Sequence, residues 1–377
     1  MIYFDNAATT RPTENVISAV TGGLREFGNP SSLHGLGLAA EQKREHAREV
    51  IAASLGAAPQ EIFFTSCATE SSNTAIFGVS KTVGKRKKRI VTTTVEHPSV
   101  AVCADTLAAQ GFEVIRVAPR ADGKFYSEDI ISAVDGNTCL VTCMLVNNET
   151  GTILPVEEVF PKLKKLYPEV VLHCDCVQGY MKLPIRVKKL GADLISLSAH
   201  KIHGPKGIGA LYIRKGLHIP SFIVGGGQES GFRSGTESVP LIAGFGAAVE
   251  GLMGSISRRW EKVSGLRDRL FELCGQTEGI YINSSRECSP YIASIAVKGL
   301  KSEVLLHFLE ERGIYVSSGS ACSKGKKSSV IAQFGIPDEL SDSVLRISFS
   351  DENTLSEIDE LIIAIKIAQS SLAKIRK

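Results

Sequence analysis

The chain has 377 residues, with 43 Lys and Arg against 40 Asp and Glu, a formal net charge of +3. So even a balance supplies no overall field toward nucleic acid or a membrane surface, and neither is expected as a partner. Hydrophobic residues at 43% and charged ones at 22% mark a soluble globular protein rather than a disordered one, and the length suits a large domain with a smaller companion.

In chain order, short apolar runs rich in β-branched residues at 61–65, 89–95, 112–118, 139–146, 170–175, 194–199 and 210–213 predict strands. Helical patterns such as "PVEEVFPKLKKLYP" separate them. This alternation predicts an α/β fold with a mainly parallel sheet flanked by helices, whose chemistry gathers at the strand ends. A long helical run then covers 239–274. It is interrupted by "GSIS", which predicts two helices bridging into a second domain.

The candidate functional residues sit where these runs stop. In "FFTSCATESSN" a strand ends at Thr65 and a helix begins near Thr69. Free amides and hydroxyls there suit a phosphate, and equally a plain helix cap. In "VVLHCDCVQGY", Asp175 is placed two residues before a strand end, where a carboxylate is costly unless it meets a cation or a strong donor; the other reading is a cap for the next helix. Lys201, in "SLSAHKIHGPKG", lies just past a strand end on a turn attributed to Gly204 and Pro205, where burial and neighbouring cations lower a lysine's pKa and make it a nucleophile.

The nine cysteines form no regular framework, and "MIYFDNAATTRP" lacks the pattern of a secretory signal, so a cytoplasmic setting is expected. Strand alternation sends His173 and Asp175 to one face and Cys174 and Cys176 to the other, so no metal site is expected. Cys139 and Cys143 are read as small apolar core residues on one strand face. By contrast, Cys322 lies in "VSSGSACSKGKKSSV", a segment expected to be an exposed loop. There Lys324, Lys326 and Lys327 favour the thiolate.

Ten stretches in order, "DNAATT", "GNPSSLH", "FTSCATESSN", "EHPSV", "NNETG", "HCDCVQ", "SLSAHKIHGPKGIGALY", "GGGQESGFRSGTE", "SSGSAC" and "VLRISFS", resemble the pyridoxal-phosphate-dependent cysteine desulfurases of the NifS/IscS type within the class V aminotransferases. The resemblance implies the fold-type I plan of these enzymes, with a large domain at 13–255 and a small domain made of 1–12 plus 256–377. It also implies a homodimer with shared sites. Lys201 would hold pyridoxal 5'-phosphate as a Schiff base, Asp175 would pair with the ring nitrogen, and Gln178 would bond the ring hydroxyl oxygen. His97 would stack on the ring and exchange protons with substrate. Cys67, Ala68, Thr69, Ser198 and His200 would form the phosphate cup, joined by Thr236 of the partner subunit. Asn148 and Arg346 would take the carboxylate of L-cysteine. Cys322 would accept its sulfur as a persulfide, release alanine, and pass the sulfur to an acceptor protein of iron–sulfur cluster assembly or another sulfur-trafficking route. The sequence departs from the family pattern at Cys67, where Gly is usual, at Cys176 and at Ser230.

Overall fold

The computed structural model describes residues 1–318 and 329–372. Up to the first interdomain helix the elements run β1 (Ile2–Tyr3), α1 (Glu14–Arg25), α2 (Gly35–Leu55), β2 (Ile62–Thr65), α3 (Ala68–Lys81), β3 (Arg89–Thr93), α4 (Pro98–Ala109), β4 (Glu113–Val117), α5 (Ser127–Ser132), β5 (Thr138–Met144), α6 (Val156–Leu166), β6 (Val171–Asp175), α7 (Val187–Leu190), β7 (Leu194–Ser198), β8 (Gly209–Ile213) and α8 (Val239–Leu252). The remainder comprises α9 (Ile256–Gly275), β9 (Ile280–Ile282), β10 (Ile292–Val297), α10 (Ser302–Glu310), β11 (Ile314–Tyr315), β12 (Ser317–Ser318), α11 (Ser329–Gln333), α12 (Asp338–Ser341), β13 (Val344–Ser348) and α13 (Leu355–Ser371).

Strands β2 to β8 form one seven-stranded sheet in the order β2-β8-β7-β6-β5-β3-β4. The run from β4 to β7 is parallel, and β8 is antiparallel to both β7 and β2. Parallel neighbours need crossovers, and helices supply them. Helix α6 shows how: Val156, Val159, Phe160 and Leu163 recur at helical spacing and bury one face. Every residue of β5, β6 and β7 is buried, as expected of a sheet covered on both faces. Only a short 3-10 turn and no α-helix lies between β7 and β8, so the chain turns back and the parallel run ends there.

Two strand details differ from the sequence reading. Asp175 is the last residue of β6, because its own carboxylate accepts the Val177 N–H at 2.9 Å and turns the chain out of the sheet. Cys139 and Cys143 do not pack in one cluster. The register against β3 slips between Arg89 and Ile90, with Thr138 and Leu140 as their partners, so Cys139 is the extra residue of a bulge. It packs with Ile76 and Val100, while Cys143 packs with Val141 and Cys174.

Helices α8 and α9 are separate and meet at 78°. Beyond them, β12-β13-β10-β9 form an antiparallel sheet whose core includes Leu270, Ile295, Ile347 and Leu361. The N-terminus is stitched into this part. Ile2 pairs with Ile314 and Tyr3 with Tyr315, and Phe4, fully buried, meets Phe349 edge-on at 5.6 Å. From there the chain crosses to the large sheet, where the Thr10 N–H donates to His200 O at 2.9 Å.

Candidate active site

The carboxyl ends of β3, β6 and β7 lie along one edge of the parallel run, the place where open α/β sheets hold ligands. Asp175 ends β6 and Ser198 ends β7, and the strands lie side by side with Asp175 opposite Ser196. One 3-10 turn, Ala199–Lys201, then presents Lys201. Its Nζ donates to the carbonyls of Ala7 and Ala8, each at 2.6 Å.

The turn behind Lys201 is built differently from the sequence reading. His203 has a φ of 63°, and it is held there by two bonds: the Thr10 hydroxyl oxygen accepts its N–H at 2.6 Å, and its Nδ1 lies 2.9 Å from Arg11 O. Gly204 serves close approach instead, since a Cβ there would lie 2.8 Å from Ala199 O.

Asp175 is only 5% exposed, and burial pushes its pKa up to about 6, partly offset by the Val177 N–H and by the charge of Lys201. Lys201 is therefore within electrostatic reach of Asp175. His97 caps α4: its Nδ1 accepts the Ser99 N–H at 3.2 Å and lies 2.8 Å from Ser99 Oγ. Burial, then the charge of Lys201, lowers its pKa, so the ring is neutral at pH 7 with Nε2 bearing the proton. Burial and the charges of Lys201, Lys206 and Lys182 bring His200 down to about 4. Gln178 is buried, and its Nε2 donates to Ala7 O at 2.9 Å.

The predicted phosphate cup is the start of α3. Cys67 is the N-cap in extended backbone (φ −173°, ψ 168°), which any residue adopts. A cysteine where glycine is usual therefore strains nothing. The amides of Ala68 and Thr69 stand in the first helical turn, where N–H groups lack intrahelical acceptors. Thr69 is exposed and Ser198 buried. Gly209 in β8 brings this turn against the sheet, because a Cβ there would lie 2.7 Å from Leu197 O, 2.8 Å from Cys67 C and 3.0 Å from Ala68 N. Thr236 is exposed on the loop before α8.

Arg346, on β13, is 7% exposed. Its Nη2 pairs with Asp5 Oδ1 at 2.8 Å and its Nη1 donates to the backbone oxygen of Asn148 at 3.1 Å. It is thus no surface ion pair, and its Nε has no hydrogen-bond partner among the described residues. Asn148 meets it through the main chain. Cys322, with Lys324, Lys326 and Lys327, lies outside the described residues.

Three contributors escaped the sequence reading. The carbonyls of Ala7 and Ala8 carry no side-chain signal at all. Glu96, beside His97, is buried, and desolvation raises its pKa to about 8; its Oε1 accepts from Thr93 Oγ1 at 2.6 Å and from the Met144 N–H at 3.0 Å. Lys182, four residues after Gln178, is also buried, and its Nζ donates to Gln178 Oε1 at 3.1 Å. The one available hint was that spacing of four.

This donor set fits pyridoxal phosphate. The raised carboxylate of Asp175 gains from a cationic ring nitrogen, the lysine within its reach can bond an aldehyde, and the amide-rich start of α3 suits a phosphate.

Comparison with known proteins agrees. The sequence matches the aminotransferase class-V family over residues 2–361. A NifS/IcsS protein homolog of Lactobacillus delbrueckii subsp. bulgaricus is 38% identical, covering 100% of this chain and 99% of its own. A cysteine desulfurase of Nostoc sp. is 38% identical over 96% of this chain and 91% of its own. Among solved structures, a NifS-like protein superposes with a TM-score of 0.93 at 39% identity, over 98% of this chain and 100% of its own. A structure of SspA in complex with cysteine superposes with a TM-score of 0.81 at 33% identity, over 93% of this chain and 99% of its own. A match this complete in length and fold leaves one assignment: the chain belongs to the aminotransferase class-V family, whose cofactor is pyridoxal phosphate.

Proposed function

We propose that this protein is a cysteine desulfurase, which converts L-cysteine to L-alanine and transfers the sulfur. The observation that carries the reading is that Asp175, Lys201 and His97 lie at or just past the carboxyl ends of parallel strands of one sheet, with the charge of Lys201 acting on both of the others and its Nζ bonded to the carbonyls of Ala7 and Ala8. The names of the relatives supply the substrate.

Lys201 would hold the cofactor covalently, Asp175 its ring nitrogen, Gln178 its hydroxyl oxygen, and Cys67, Ala68, Thr69, Ser198 and His200 its phosphate, with Thr236 of the partner subunit. When bound, pyridoxal phosphate supplies a ring that draws electrons from the substrate α-carbon. Lys201 Nζ, displaced by the substrate amine, takes the α-proton. Neutral His97 moves protons at Nε2, and the Nδ1 bond to Ser99 fixes which nitrogen is available. Arg346 holds the substrate carboxylate beside Asn148 and is oriented by Asp5. The Cys322 thiolate attacks the substrate sulfur; the S–S bond forms as the carbon–sulfur bond breaks, its electron pair stays with the carbon, and protonation gives alanine.

The packed clusters against the large sheet are separate from the core around the small sheet with β1, which supports division into 13–255 and 1–12 plus 256–377. Exposed Leu24, Phe27, Leu33, Leu36 and Leu38 support a homodimer. All eight described cysteines are free, which supports a reducing, cytoplasmic setting, and the NifS/IcsS and IscS names of relatives support an iron–sulfur or related sulfur route. The test is product analysis. Protein loaded with pyridoxal phosphate should turn L-cysteine plus a thiol reductant into alanine and sulfide in equal amounts. A keto acid in place of alanine would assign a transaminase instead.

A further inference from the structure

Lys182 is a lysine only 5% exposed, and it lines a small cavity together with Thr10 and Lys201. The chain delivers it there through Met181, which turns at a φ of 56°, a conformation that costs a non-glycine residue on the order of 1 kcal/mol. Around Nζ lie more cations than anions. Burial, then the charges of Lys201, Arg259 and Arg346, brings its pKa down to about 7. Each of these two arginines holds its own carboxylate, Asp351 with Arg259 at 2.9 Å and Asp5 with Arg346 at 2.8 Å. The described partners of Lys182 are Gln178 Oε1 at 3.1 Å and the Tyr291 ring, 5.5 Å from Nζ to its centre. A buried amine with no carboxylate partner is a net cost to folding, so a role at the neighbouring site accounts for it better than stability does.

Gln178 can present either end of its amide. Here Oε1 faces Lys182 and Nε2 faces Ala7 O, a carbonyl that also accepts from Lys201. Ala7 O accepts only, and Lys182 donates, so the two contacts agree on one orientation of the amide. A donor at the carbonyl end also polarises the amide and strengthens what its N–H groups give at the other end.

We propose that Lys182 is a positioning residue: it locks Gln178 with its N–H groups toward the cofactor site and strengthens their donation to the anionic oxygen of the ring hydroxyl. The inference rests on the pyridoxal phosphate reading above. In this role Lys182 acts through Gln178, to which its Nζ is bonded.

A double-mutant cycle on the full-length protein tests this, reading the affinity for pyridoxal phosphate and the pH midpoint of the visible band of the bound cofactor. Lys182→Met keeps the apolar stem and removes the donor. It should weaken cofactor binding on the order of tenfold, the scale of a hydrogen bond to a charged group, and raise the pH midpoint, because the anionic oxygen loses support. Introduced into Gln178→Leu, it should change neither quantity further. Lys182→Arg, which retains a donor, should recover part of the loss. Independent, additive effects of the two single variants would overturn the proposal, as would a Lys182→Met protein whose affinity and midpoint equal those of the wild type. If Lys182→Met fails to fold, Lys182→Leu replaces it in the same cycle. A wild-type protein that binds pyridoxal phosphate without any visible band would overturn the functional reading itself, an outcome distinct from additivity.

Discussion

Burial holds the Asp175 carboxyl at about 6 against an ordinary 3.8, which makes the residue a burden on the cofactor-free fold. Below pH 3.8 the group is protonated whether the chain is folded or not, and it costs nothing. The cost grows as the pH rises and is fully present above about 6, where it reaches about 3 kcal/mol at most. Asp175→Asn should therefore stabilise the cofactor-free protein at pH 7.5 and much less at pH 4.5, as read by urea unfolding, while binding pyridoxal phosphate at least tenfold more weakly. Equal stability at both pH values would show that the carboxylate is already compensated within the chain. At Cys322 the expectation is chemical: Cys322→Ala should keep the colour of the bound cofactor yet form no protein persulfide after exposure to L-cysteine, as read by mass spectrometry. Asp175 was legible because a carboxylate stands out at an apolar strand end; Cys322 stood out as a thiol in a Gly, Ser and Lys segment, which lies outside the described residues. Lys182 was not legible, since nothing in "GYMKLP" reveals that its side chain turns inward.

At the scale of elements, the site depends on how closely the first turn of α3 approaches β8. Gly209→Ala would place a Cβ within 3.0 Å of backbone atoms of Leu197, Cys67 and Ala68, and backbone on both sides leaves nothing flexible to yield. We expect a loss of about 1–3 kcal/mol in stability and weaker binding of pyridoxal phosphate. Pyridoxal, which lacks the phosphate, should be affected less, and calorimetry on both ligands separates a displaced cup from general damage. Cys67→Gly should by contrast leave binding nearly unchanged, because the backbone at Cys67 is ordinary extended chain. Strand existence and order in the chain followed from apolar runs and turn residues. The bulge at Cys139 and the left-handed His203 did not, because a register slip depends on the neighbouring strand and the turn is held by Thr10 and Arg11 from the far N-terminus.

At the scale of the whole molecule, the first ten residues join the two sheets. Phe4 is packed against Phe349 in the small-sheet core, and three and four residues later the chain offers its carbonyls to Lys201. Phe4→Ala should cost about 3–5 kcal/mol in denaturant unfolding, and turnover of L-cysteine should fall even in molecules that remain folded, since the carbonyl shelf loses its anchor. Unchanged turnover per folded molecule would separate the shelf from the reaction. By itself the sequence determined the α/β alternation, the approximate strand ends near Asp175 and Lys201, the helix start at α3 and the ordered motifs of the family, because each is written in local periodicity or local chemistry. Only the tertiary structure decided that Ala7 and Ala8 face Lys201, that Arg346 is buried against Asp5, and that Lys182 stands behind Gln178. Those contacts join residues remote in sequence or side chains whose direction is set by packing, and hydrogen bonds of that kind leave no periodic trace along a chain.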